Sequence, residues 1–166
     1  MKQIALMRHA KSSWKNRELD DIDRPLNKRG LRDAPMMGGR LAELDYKPDH
    51  IVSSTAVRAA VTARTVAQEI GFKASKIQPE KRLYLADPEE IFDIIRELDD
   101  KHERVMLFGH NPGFTIAANQ IGDLSVDNMP TGAIAVFNLN IDAWKDCTNR
   151  CGKLKFFDFP KNPIKL

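Results

Sequence analysis

A three-layer α/β/α sandwich with a mostly parallel central sheet is the fold class that this sequence predicts, and three observations predict it. Short apolar runs of strand character occur at residues 4–7, 51–52 and 104–108, and each is followed by a polar loop and a stretch with helical spacing. Strand and helix units in alternation call for crossover connections, which lay neighbouring strands parallel. Each of the three strands also runs out into chemically rich residues, as strand ends do at the ligand-binding edge of an open α/β sheet.

Size and composition fit one domain over residues 1–166, long enough to bury most of the apolar surface that folding can remove from water. Hydrophobic residues at 42% and charged residues at 30% are ordinary for a globular protein. No apolar run approaches the roughly 20 residues of a membrane span, so no membrane partner is expected. The N-terminus enters a strand-like segment without the apolar region and small-residue cleavage site of a secretory signal, which predicts a cytoplasmic protein. A net charge of +3, with Lys and Arg scattered among acids, argues against nucleic acid as a partner. Cys147 and Cys151 lack a second cysteine pair or a nearby histidine, which reads as reduced thiols and not as a zinc site.

The elements follow in order. The run at 4–7 is a buried strand that gives way to Arg8 and His9. A polar crossover loop containing Asp20, Asp21, Asp23, Arg24 and Pro25 comes next. Asn27 suits the cap of a helix with Leu31, Ala34, Met37, Leu41 and Leu44 on one face. Pro35 inside that helix predicts a kink or a late start, and Gly38-Gly39 weakens it further. After Lys47-Pro48-Asp49, the second strand ends in Ser53-Ser54-Thr55, and a helix over 56–70 stops at Gly71. Residues 76–86 are extended and lack clear periodicity. Asp87 and Pro88 open a helix with Ile91, Ile94, Ile95 and Leu98 on one face. The strand at 104–108 ends abruptly at Gly109-His110-Asn111-Pro112, and a helix runs from 112 or 113 to 121. Beyond the turn Pro130-Thr131-Gly132, strands are predicted at 134–139 and 154–159, with their pairing open.

If the strands are parallel neighbours, Arg8 and His9, the segment Ser53 to Arg58, and His110 all reach one edge of the sheet. Two arginines and two histidines make a poor metal site, because arginine does not ligate and no carboxylate shares the cluster. They make a good phosphate site, since guanidinium forks match phosphate oxygens and Arg58 falls in the first turn of its helix, where free N–H donors add to the pull.

This combination resembles the histidine phosphatase superfamily, through Arg8-His9-Ala10, Ser53-Ser54-Thr55-Ala56-Val57-Arg58 and Gly109-His110-Asn111. The order and spacing match over nearly the whole chain. It looks closest to the short SixA-like phosphohistidine phosphatase branch, in which Arg-His-Ala-Lys-Ser, Asp-Arg-Pro-Leu and Gly-His-Asn-Pro segments recur. The resemblance implies a phosphoglycerate mutase-like fold and a phosphatase without metal or cofactor. It implies His9 as the nucleophile that becomes phosphorylated, with Arg8, Arg58 and His110 holding the phosphoryl oxygens and a protonated His110 as electrostatic partner. Ser12 and Asn111 join the expected substrate-binding set.

Departures from the family pattern bear on the substrate. Ala10 replaces the usual glycine, which is tolerated where the backbone avoids positive φ. Lys15 follows Trp14 where larger members place asparagine, so the phosphate shell differs there. Those members also carry a glutamate general acid, and Arg82-Leu83-Tyr84 stands at the matching place, with Glu80 nearby. Asp21 and Asp23 are the remaining candidates for a general acid. Without a strong acid, a protonated phosphoimidazole is a better leaving group than an alkoxide. The expected partner is thus a phosphorylated protein bearing phosphohistidine. A small phosphorylated substrate and a non-catalytic phosphate-binding module are the alternatives. His50 and His102 are read as solvent-facing, Trp14 as lining the pocket mouth or covering the sheet edge, and Phe156, Phe157 and Phe159 as core.

Overall fold

The computed structural model of the chain describes residues 1–163. Six strands form one sheet: β1 (Lys2–Arg8), β2 (His50–Ser53), β3 (Gln78–Pro79), β4 (Arg104–Gly109), β5 (Ile134–Leu139) and β6 (Gly152–Asp158). They lie in the order β3-β2-β4-β1-β5-β6. The first four positions pair in parallel, β5 runs antiparallel to β1, and β6 returns antiparallel to β5. The two late strands, whose pairing the sequence left open, are therefore a hairpin added to the β1 edge.

Period-two alternation along β1 divides its side chains between two cores. Ile4 and Leu6 pack with Ile91, Ile95, Phe114 and Ala118 from α3 (Pro88–Arg96) and α4 (Gly113–Ile121). Ala5 and Met7 pack with Met37, Leu41, Ala63 and Val66 from α1 (Lys28–Glu43) and α2 (Val57–Ile70) on the opposite face. This is the three-layer sandwich predicted. Each Ile, Leu or Phe so buried contributes about 1.5–3 kcal/mol of transfer free energy.

Local chemistry sets the helix ends. Asn27 Oδ1 accepts from Gly30 N at 2.9 Å, and Asp87 Oδ1 accepts from Glu90 N at 2.9 Å. Gly71 closes α2 with φ 77°, a left-handed conformation that costs glycine little. The ambiguous stretch 76–86 resolves into the short edge strand β3 and a 3₁₀ turn at Lys81–Leu83. Pro79 is compatible with β3 because an edge strand leaves one row of N–H groups unpaired.

Four expectations need correction. α1 starts at Lys28 and runs through Pro35, so no late start occurs. The carbonyl that Pro35 leaves without a donor is that of Leu31, on the side of the helix that faces water. Leu31, expected in the core, is 59% exposed, and Leu44 is 39% exposed. His50 and His102 are half-buried and not solvent-facing: their rings stack 4.1 Å apart with planes 1° from parallel. They precede or open the neighbouring strands β4 and β2, whose parallel pairing brings both loops side by side. Cys147, which the sequence places in a polar late loop, does follow a 3₁₀ turn there, but its side chain is buried in the α3/α4 core.

Candidate active site

The carboxyl ends of β1, β2 and β4 open on a cavity of about 290 Å³. Arg8, His9, Ser12, Arg58, His110 and Asn111 all line it, and so do Lys11, Trp14, Asp21, Arg24, Leu85 and Thr131. Asp23 does not; it is exposed, two residues past Asp21 in the same 3₁₀ helix and so on a different side of it. Parallel pairing puts Arg8 opposite Gly109 and Ser53 opposite Phe108, so the residues after each strand end meet at one level.

Backbone bonds fix His9 on two sides. Its N–H donates to Gly109 O at 3.1 Å, and its carbonyl accepts from Gly132 N at 2.9 Å. The next residue, Ala10, donates its N–H to Thr62 Oγ1 at 3.0 Å, and that hydroxyl donates to Arg58 O at 2.7 Å. One threonine thus ties the His9 loop to the first turns of α2. Ala10 is not among the residues with positive φ, so the missing glycine imposes no strain.

The imidazole of His9 is set up as a neutral base. Nδ1 donates to Ala10 O at 2.7 Å, which leaves the lone pair on Nε2. Burial, opposed in part by that bond and reinforced by Arg58, Arg8 and Arg24, lowers its pKa from 6.5 to about 4. His110 lies 5.2 Å away, ring centroid to ring centroid. Burial, then His9 and Arg58, bring its pKa down to about 3. The protonated His110 expected from the sequence is therefore a neutral ring in this structure, because burial first, and then the neighbouring rings and cations, oppose the added charge.

Ser54 Oγ and His110 Nε2 share a hydrogen bond of 2.7 Å. When that hydroxyl donates, the ring proton sits on Nδ1, which is buried without a partner. Arg8 Nε, Arg24 Nε and Arg58 Nε are likewise buried with no hydrogen-bond partner. An orphaned buried donor costs roughly 1–3 kcal/mol, and several of them around one cavity suit a ligand with several acceptor oxygens. Burial and Arg58 lower the pKa of Arg8 and of Arg24 from the ordinary value, without removing their charge.

Asp21 offsets part of this charge. Its Oδ2 accepts from Arg58 Nη2 at 3.0 Å and from Tyr84 Oη at 2.5 Å, and its carbonyl accepts from Arg58 Nη1 at 2.7 Å. The Tyr84 bond first, then Arg58, hold the carboxyl below its ordinary pKa. Asp21 is thus ionised at neutral pH. Glu80 faces Arg82, whose guanidinium it accepts from at 3.1 Å, and does not line the cavity. Asn111 lines it, but its amide is engaged with Asn128, Met129 and Thr115, so it braces the loop after β4. Among the described residues, no three His, Cys, Asp or Glu side chains gather to hold a metal ion.

Comparison with known proteins agrees with this geometry. Residues 4–84 match the sequence model of the histidine phosphatase superfamily, branch 1. An uncharacterized Mycobacterium tuberculosis protein is 31% identical over 165 residues, covering 93% of this chain and 100% of the relative. The chain belongs to the histidine phosphatase superfamily. Within that superfamily, the solved structure of a candidate phosphohistidine phosphatase SixA from Agrobacterium tumefaciens is 28% identical, with a TM-score of 0.80, over 96% of this chain and 98% of that one. A protein histidine phosphatase SixA complexed with tungstate shares the fold, with a TM-score of 0.80 at 19% identity, over 95% of this chain and 97% of its own.

The pocket also holds a residue that the sequence does not single out. Arg24 is a third arginine of the cavity: it donates to Ser12 Oγ, and its guanidinium lies 3.4 Å over the Trp14 ring. Its signal is the Asp-Arg-Pro-Leu segment, which the sequence offers both as a crossover loop and as one of the recurring SixA-like segments. A lone antiparallel bridge between Ser12 and Leu26 folds that loop back onto the cavity. Tyr84, which the sequence shows only as standing in place of a glutamate, lies behind the lining and reaches the cavity through Asp21 and the edge of the His110 ring. Lys15 points to no role in the phosphate shell, since it lines a separate groove.

Proposed function

We propose that this protein is a phosphatase that removes phosphate from phosphohistidine in proteins through a phosphorylated His9 intermediate. His9 Nε2 attacks phosphorus, the bond from phosphorus to the substrate imidazole breaks, and that imidazole leaves neutral because its second nitrogen is already protonated. Water then attacks the phosphoryl group on His9, releasing phosphate and restoring the ring. Arg8, Arg24 and Arg58 oppose the charge on the equatorial oxygens through both steps. His110 acquires a proton as the phosphoryl dianion enters, since that charge opposes the cations that depress its pKa.

The observation that carries the substrate class is the state of Asp21. It is the carboxylate of the cavity, and Tyr84 and Arg58 keep it ionised. An ionised carboxylate has no proton to deliver to an alkoxide, whereas a phosphoimidazole needs none. A cytoplasmic setting goes with this reading, since it would keep the thiols of Cys147 and Cys151, 3.6 Å apart and not joined as a disulfide, reduced.

The test is turnover of a phosphohistidine protein beside a panel of alkyl phosphates, with EDTA present, and a rapid quench for labelled enzyme. Fast loss of phosphohistidine, slow alkyl hydrolysis and an acid-labile, base-stable label absent from His9→Ala are expected. Equal turnover of alkyl phosphates would assign a small phosphomonoester instead. Binding without turnover would leave a phosphate-recognition module.

A further inference from the structure

Beside the phosphate cavity runs a second groove of about 400 Å³ that the reaction does not use. Pro25, Leu26 and Leu31 supply its apolar surface, and Lys15, Lys28 and Arg29 its charges; no carboxylate lines it. Leu31 is exposed by 59% on the outward side of α1. Among the described residues, neither Lys15 nor Lys28 forms an ion pair, while Arg29 lies 3.5 Å from the buried Asp33.

The groove and the cavity share a wall. Ser13 donates its N–H to Pro25 O at 2.8 Å, closing the loop between them. Trp14 faces the cavity, while its neighbours Ser13 and Lys15 face the groove. A side chain inserted into the cavity must lay the surface around it along this wall.

We infer that the groove is a docking surface for the phosphorylated protein, taking a stretch that carries acidic residues and an aliphatic side chain beside the phosphorylated histidine. The inference rests on the phosphoprotein reading above. Charge decides the occupant: unpaired cations without a local acid favour an anionic partner, and the apolar floor distinguishes an acidic protein surface from a bare phosphate chain. Such rim charges act on association and therefore on KM, leaving the chemical step untouched.

Three synthetic phosphohistidine peptides, flanked by Glu and Leu, by Ser, or by Lys, would be compared with phosphoramidate, which has no flanking chain. In wild type at low salt, KM for the acidic peptide should lie about tenfold below that for the basic one. The difference should vanish in a Lys15→Glu, Lys28→Glu double variant and at high salt. Leu31→Ser should raise KM for the acidic peptide severalfold. Phosphoramidate turnover should stay constant throughout, which also shows that each variant is folded. Equal KM values for acidic and basic peptides in wild type, or an unchanged preference in the double variant, would overturn the docking surface while leaving the phosphatase intact. No turnover of any substrate would remove the phosphatase reading and the surface with it. Displacement of a labelled, non-hydrolysable acidic peptide by a single-stranded oligonucleotide at lower concentration would assign the groove to nucleic acid and overturn the proposal.

Discussion

His9 and His110 bind protons far more weakly in the fold, with pKa values of about 4 and about 3, than a free imidazole at 6.5, because burial opposes the added charge and arginines surround both rings. The unfolded chain therefore takes up protons that the native state refuses, and stability must fall as pH drops from about 6.5 towards 4. His50, lowered by burial and by His102, adds in the same direction. We expect Tm to decline between pH 7 and pH 5 and the decline to be smaller in His110→Asn, followed by circular dichroism; an identical decline in both would show that His110 is not held neutral. The residue types at this site were legible as soon as strand ends were recognised, since Arg8, His9 and His110 follow apolar runs directly. Their protonation was not, because it depends on which cations converge. Asp21 and Asp23 were indistinguishable as loop acids, and the 3₁₀ turn that both belong to points them to different sides: Asp21 faces Arg58, and Asp23 faces water.

At the scale of elements, the site depends on how closely α1 approaches the loop after β1. A Cβ on Gly30 would lie 2.1 Å from Lys11 O, a contact no side chain can make. That same carbonyl accepts from Asn27 N at 3.0 Å, so the helix cap and the catalytic loop are bonded through one peptide group. Gly30→Ala should push α1 outward, lower Tm by several degrees and reduce phosphoryl turnover as Ser12 and Arg24 shift; a variant with native Tm and activity would show that the loop gives way freely. Helices with strong caps and one apolar face, such as α3, were readable from the sequence alone. α1 was readable in place but not in orientation. Leu31 fits its apolar spacing, yet α1 packs on the sheet and α2 through Met37 and Leu41 and leaves its first turns at the rim. β3 was not legible because two edge residues carry no periodicity, and its pairing with β2 comes from tertiary contact.

For the whole molecule, both cores pack against opposite faces of one sheet, which is the physical ground for proposing a single domain over 1–166. That sheet holds three arginines at one edge against one carboxylate, so the native state should gain stability from any tetrahedral dianion that the unfolded chain cannot gather. Sulfate is the useful probe, because it keeps the same charge across the working pH range and any pH dependence then belongs to the protein. Without a dianion His110 has a pKa of about 3. A charge of opposite sign within hydrogen-bonding reach raises such a pKa by about 1–3 units, so sulfate binding draws in protons. Proton uptake on binding means that affinity must increase as pH falls. The rise in Tm at a fixed sulfate concentration should be larger at pH 5.5 than at pH 7.5, reaching about 2.7 kcal/mol of stabilisation once sulfate stands at a hundred times its Kd. Sulfate also stabilises proteins by exclusion from their surfaces, and Arg58→Ala separates the two effects: exclusion survives the substitution, and site binding does not. Equal shifts in wild type and Arg58→Ala would mean that the arginine cluster does not gather the anion. Equal shifts at both pH values in wild type would mean that His110 takes no proton as it binds.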